Sequence, residues 1–336
     1  MVNFSFGRGL LLSAAALGIL AGSGLSASAE EALNIYTTRE PGLIKPVLDE
    51  FTKETGIKVN TIFIANGLEE RIRTEGQNSP ADLIITVDIG RLAAAKDYGV
   101  TQPVKSEALA KVIPAAYRDP EGHWFGIALR GRVVYASKER VKQDTITYEE
   151  LADPKWKGRV SMELGDVDWF TAMHDYYVEE QGKSEEEFTD LMTKIASNSQ
   201  VAKGHSTQGE LLAAGQFDIT VSSYSHTIDK AAADGAPVAW KPQNGDPAQP
   251  LVVRPNGIGL VKTATNPCSA LLFVDYELTG GQEVFADNFR IGSIQGSDNP
   301  LEKYETYPVP EKKLLDDPDT WNKAYEDVVA NGQALE

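Results

Sequence analysis

Apolar segments of two different lengths alternate along the first hundred residues, and this constrains the fold more than any other feature of the chain. Leu33-Asn34-Ile35-Tyr36 reads as a short strand. Pro41 opens a helix whose apolar face is expected at Leu43, Val47, Leu48 and Phe51, and Gly56 closes it. A second strand is predicted from Val59 to Ile64 and a second helix from Gly67 to Glu75. Asp82 to Val87 is then nearly continuous in apolar residues, the pattern of a strand buried on both faces. Strand, helix and strand in this rhythm predict parallel βαβ units with right-handed crossovers.

The rhythm breaks near Trp124. F-G-I-A-L-R-G-R-V-V-Y carries Arg130 and Arg132 on either side of Gly131 and reads as a strand crossing from one lobe to another. A second alternating region follows: strand Arg159 to Met162, helices Trp169 to Glu180 and Glu185 to Ala196, strand Asp218 to Val221. A return crossing is expected over 252–257, then a strand from Ile258 to Val261 and a helix from Cys268 to Leu278. The fold class is therefore α/β, a two-lobed clamshell in which each lobe is a mixed, mostly parallel sheet flanked by helices. The expected division is residues 30–130 plus 254–290 for the first lobe and 131–253 plus 291–336 for the second.

Ahead of the first strand, a positive start, a short apolar run and Ala27-Ser28-Ala29 have the form of a secretory signal peptide over residues 1–29, cleaved after about Ala29. Export to the periplasm is the expectation. A lone cysteine, Cys268, offers no intramolecular disulfide. With 49 acidic against 32 basic side chains the net charge is -17, which argues against nucleic acid or an anionic membrane as partner.

In open α/β sheets ligands sit beyond the carboxyl ends of the strands. That rule nominates Thr38 and Arg39 after the first strand and Asp88 after the third. It also nominates Asp166, Asp168 and Trp169 after Met162, and Ser223, Tyr224, Ser225 and His226 after Val221. Each has a plainer reading: Thr38 and Asp88 as helix caps, Trp169 as core. Catalytic signatures are missing. The four histidines form no H-E-x-x-H, and no nucleophile elbow, P-loop or dinucleotide fingerprint is present. Capture of a solute, not catalysis, is expected, with an exported enzyme using His205 or His226 as the remote alternative.

The stretches N-I-Y-T-T-R-E, R-I-R-T-E-G-Q-N-S-P-A-D-L-I-I-T-V-D-I-G-R-L, D-P-E-G-H-W-F-G, Y-E-E-L-A-D-P-K-W-K-G-R-V and F-D-I-T-V-S-S-Y resemble the periplasmic ferric-ion-binding proteins of ABC importers. The resemblance implies a type II periplasmic-binding-protein fold, a monomer, and a membrane permease with its ATPase as partners. It implies Fe(III) as cargo, with carbonate or another synergistic anion, or iron taken as a chelate. The family holds iron mainly through tyrosines, and that pattern is only partly kept. Tyr224 matches the first of an adjacent pair whose second position is Ser225, Glu40 and Pro41 stand where a histidine and a tyrosine are usual, and Trp169 stands where many members place another tyrosine. Arg130 matches the anion-contacting arginine. The metal ligands implied are Tyr224 and Glu40, helped by Asp88, Asp166, Asp168 or His226.

A competing reading is a small organic anion, such as a phosphorylated sugar, phosphonate or carboxylate. Arg39 and Arg130 would grip it, Thr38, Ser222, Ser223 and Ser225 would supply hydroxyls, and Trp169 an apolar wall.

Overall fold

The computed structural model describes residues 32–241, 250–279, 281–282, 291–292, 304 and 306–334. The leader expected at residues 1–29 lies outside them, as does the stretch 283–290 expected to end the first lobe.

Nine strands organise the described chain: β1 (Ala32–Thr37), β2 (Lys58–Phe63), β3 (Leu83–Thr86), β4 (Phe125–Ser137), β5 (Val160–Glu163), β6 (Ser199–Ala202), β7 (Ile219–Tyr224), β8 (Val238–Lys241) and β9 (Leu251–Leu260). Eight of them run in the order β2-β1-β3-β9-β4-β7-β5-β6, with β8 paired to β4. At one flank β1 lies parallel to β2 and β3, and at the other β5 lies parallel to β6 and β7. These are the two βαβ regions read from the alternation. Between them β4 and β9 run antiparallel to each other and to their outer neighbours β7 and β3. The two long strands thus carry the chain between the halves of the sheet.

The crossing expected at 252–257 and the strand expected at 258–261 are one strand, β9, despite Pro255 and Gly257 inside it. β3 pairs with β9 from Gly257 onward, and the short strand Thr306–Pro308 pairs with Leu251 to Val253. Pro255 falls in the gap between these partners, where its missing N–H removes no ladder bond. Gly257 is required for a different reason: a Cβ there would come within 2.6 Å of a Leu92 methyl.

Helices cover both faces. Relevant to the site are α1 (Pro41–Thr55), α2 (Leu68–Glu75), α3 (Ile89–Asp97), α4 (Val167–His174), α5 (Glu185–Ser197), α6 (His205–Ala214), α7 (Ser225–Ala233), α8 (Pro267–Glu277), α9 (Glu311–Asp316) and α10 (Pro318–Gln333). The buried face of α1 is Ile44, Val47, Leu48 and Phe51, while Leu43 is 53% exposed. At 100° per residue Ile44 is the position in line with its neighbours three, four and seven residues on, so the expectation of Leu43 was one residue early. Gly56 ends α1 with φ 75°, the left-handed cap that glycine adopts without penalty. Past α4 the helix widens to a π-turn over Asp175–Glu180.

Each half of the sheet has its own core. Leu33, Ile35, Phe51, Leu83, Ile85 and Phe273 pack beneath β1 and β3, with the rings of Phe51 and Phe273 edge to face at 4.9 Å. Trp156, Trp169, Phe170, Phe188, Met192 and Tyr325 fill the other. Among the described residues no helix is long and apolar enough to cross a membrane.

Candidate functional site

The register of the two long strands sets the site. Arg130 and Arg132 are two residues apart on β4, so their side chains leave the same face of the sheet. On β9 Arg254 stands opposite Arg130, and on β7 Tyr224 stands opposite Arg132. Three guanidinium groups and one phenol are therefore gathered on one face at the middle of the sheet. Like charges directly across a strand pair repel, so carboxylates must come to them.

Those carboxylates arrive from the ends of other elements. Arg132, 3% exposed, is held by Asp166 Oδ1 and Asp168 Oδ1, both at 2.6 Å, and it also donates to His205 Nε2 at the start of α6. The same His205 Nε2 lies 3.1 Å from Asp166 Oδ1, and its Nδ1 is buried without a partner. Arg254 forms two bonds with Glu311, at 2.7 and 2.9 Å, and lies 3.4 Å from Asp168 and 3.6 Å from Asp88. Arg130 donates to the phenol oxygen of Tyr224 at 3.2 Å and to the carbonyl of Val87. Burial alone would raise the Asp168 carboxyl, but Arg132 and Arg254 outweigh it and hold Asp168 well below the usual carboxylate range. Burial likewise works against charge on Arg254, and Glu311, Asp88 and Asp168 overcome it, so Arg254 stays a cation.

Tyr224 is the hub. Its ring lies 3.8 Å from the Arg132 guanidinium carbon and 5.0 Å from that of Arg130, with His205 edge-on at 4.6 Å and His226 stacked at 5.5 Å. Cation–π stacking on two arginines fixes the ring and presents its hydroxyl to the cleft. A cavity of about 400 Å³ opens there, lined among others by Glu69, Asp88, Arg132, Asp168, Tyr224, Arg254 and Glu311. The hydroxyls of Ser222, Ser223 and Ser225 are buried without partners beside Tyr224.

The nominated residues fare differently. Asp88, Asp168 and Tyr224 line the cavity together, and Arg130 reaches Tyr224 from β4. Asp88 is also the N-cap of α3, accepting from Arg91 N at 3.0 Å, so both of its readings hold at once. Thr38 accepts from the Val87 backbone N–H, a structural bond between strand tips. Arg39 is buried and donates to Asn256 at 3.1 Å, and neither residue is among those lining the cavity. Glu40 is exposed at the start of α1 and is not among the lining residues. Trp169 corrects the expectation of an apolar wall: it is 0% exposed, and its indole donates to Tyr148 at 3.1 Å inside the second core.

Five residues of the site, Glu69, Arg132, His205, Arg254 and Glu311, lie outside those that the strand-end rule nominated. Arg132 and Arg254 were noticed only as part of the crossings, and the two-residue alternation of R-G-R was the signal that put Arg132 on the same face as Arg130. His205 and Glu311 had no signal of that kind, since Glu311 meets Arg254 across 57 positions of sequence. Glu163, Asp166 and His205 also bring one ligand atom each within 4.8 Å of one another, but the Arg132 guanidinium is bonded to two of the three.

A two-lobed α/β receptor with a polar cleft at its strand ends is the class that this geometry defines. Residues 47–294 match the family of bacterial extracellular solute-binding proteins, and the chain belongs to it. It is 35% identical over 270 residues to "Iron uptake protein A1" of Synechocystis sp., an alignment covering 76% of this chain and 73% of that one. Among solved structures it is similar to a Bordetella ferric binding protein (30% identity, TM-score 0.74, 89% of this chain and 99% of that chain). It is also similar to a Trichodesmium protein solved in complex with iron and citrate ligands (30% identity, TM-score 0.66, 89% and 98% coverage). The fold is the type II periplasmic-binding-protein clamshell of these neighbours.

Proposed function

We propose that this chain is the periplasmic receptor of an ABC importer, and that its cargo is ferric iron taken up together with a small oxygen-rich anion. The observation that carries the reading is the meeting of the Tyr224 phenol with four cavity-lining carboxylates and the guanidinium groups of Arg130, Arg132 and Arg254. Fe(III) is a hard cation that favours anionic oxygen, and a bound metal lowers a tyrosine's pKa far enough to ionise it. Tyr224 is the phenol placed for that role, and a carboxylate or carbonate on the metal would be received by Arg130 and Arg254. Relatives named for iron uptake, and a neighbour holding iron with citrate, support the same pairing of cation and anion. The receptor does no covalent chemistry in this reading. It closes on its cargo and presents the closed form to a permease and its ATPase.

The test is a titration of the stripped protein with ferric citrate, following the visible tyrosinate-to-iron band and bound iron by elemental analysis. One iron per chain and a band that Tyr224→Phe removes are expected. A protein that takes citrate or a sugar phosphate but no iron would move the cargo to an organic anion.

A further inference from the structure

Four carboxylates line the cavity, and three of them already have a cation. Asp88 lies 3.7 Å from Arg91 and 3.6 Å from Arg254, Asp168 is bonded to Arg132, and Glu311 is bonded to Arg254. Glu69 differs. It stands in the first turn of α2, is 7% exposed, lines the cavity, and its buried Oε2 has no hydrogen-bond partner. Among the described residues no arginine, lysine or histidine lies within 4.0 Å of its carboxylate.

A first-turn acid is favourable at a helix N-terminus whatever else it does, because the helix dipole is positive there. That role does not require burial. Its neighbour Glu70 shares the same turn and also has an unpaired buried Oε2, but it is half-exposed, accepts from Tyr98 at 3.3 Å through its other oxygen, and does not line the cavity. Glu69 instead sits where water is largely excluded, and burial raises its carboxyl above the usual range, with Glu70 and Asp88 adding repulsion while its own backbone N–H and Arg91 oppose them. A buried oxygen left unsatisfied destabilises the fold, more so when it is charged. A side chain held in that state against a ligand cavity is waiting for positive charge.

We infer that Glu69 is a cargo ligand, supplying an anionic oxygen to the same ferric ion that Tyr224 binds. The inference rests on ferric iron being the cargo. Glu69 reaches the ion from α2 in the first half of the molecule and Tyr224 from β7 in the second, so one ion would tie the halves together. This gives the cleft a second anionic protein oxygen without drawing on Asp88, Asp168 or Glu311, which stay with their arginines.

The experiment compares wild type, Glu69→Gln and Glu69→Asp in the ferric citrate titration, with the melting temperature of each empty protein. Glu69→Gln keeps the shape and removes the charge, so the empty variant should melt at or above the wild-type temperature. Its iron affinity should fall by at least about 100-fold, beyond the 10–100-fold typical for partners one shell out. The residual tyrosinate band should shift in wavelength because the other ligand on the metal has changed, and Glu69→Asp should fall between. Iron binding within about 3-fold of wild type in Glu69→Gln, with the band unmoved, would overturn the role of Glu69 and leave the ferric reading standing. Wild type that takes no iron would remove the ferric reading itself, and this inference with it.

Discussion

At the scale of single residues the site is governed by how arginines and carboxylates share charge. Arg132 and Asp168 are both buried and 2.6 Å apart, so removing one partner strands the other in a medium that solvates it poorly. Asp168→Asn is expected to cost about 3–5 kcal/mol at neutral pH, measured by chemical denaturation. The pH dependence follows from the depressed carboxyl. A group that ionises more easily folded than unfolded contributes stability above its unfolded value of about 3.9, and loses it as pH falls through the lower folded value. The gap between wild type and variant should hold from pH 7 to about pH 4 and narrow below that; a gap that stayed constant into acid would show that the charge of Asp168 is not what stabilises. Asp88, Asp168 and Tyr224 were legible in the sequence because each stands at or shortly after the carboxyl end of a strand, where the βαβ rule puts ligands. Glu69, Arg254 and Glu311 were not, because a helix's first turn and two distant segments give no local sign of the cavity they share. Trp169 misled for the same reason: following β5 places a residue near the cleft but does not say whether it points into the cleft or the core.

At the scale of elements, β9 joins the two halves of the sheet and the cavity. Its Arg254 reaches three carboxylates, and its Gly257 allows α3 to lie directly on the strand. Gly257→Ala would drive a Cβ to 2.6 Å from Leu92 and 3.2 Å from Ile89 on α3. Overpacking of this kind costs about 1–3 kcal/mol. Because Asp88 caps α3, displacement of the helix should also move a wall of the cavity, so the variant is expected to lose cargo affinity as well as stability. An affinity equal to wild type in a destabilised Gly257→Ala protein would mean that the clash is relieved away from α3. The βαβ regions and the first crossing strand could be read from periodicity. The continuity of β9 could not, since Pro255 and Gly257 read as breakers until their strand partners are known.

At the scale of the whole molecule, the ligand-facing groups come from both halves and meet where β4 and β9 pass between them. The long strands β4 and β9 join the halves, and ion pairs link groups on either side of them. Arg254 alone bridges Asp88 after β3, Asp168 in α4 and Glu311 in α9. Cargo that binds only the closed arrangement shifts the population toward it by its difference in affinity for the two states. Ferric citrate at about 100 times its Kd should therefore stabilise the protein by about 2.7 kcal/mol, roughly 5–10 °C in Tm. Small-angle scattering on the same samples should show a smaller radius of gyration when loaded, if closure accompanies binding. A Tm that rises with no compaction would separate the two ideas: the cavity would still be the cargo site, formed in advance, and the signal read by a permease would have to lie in the cleft rim and not in the angle between the lobes.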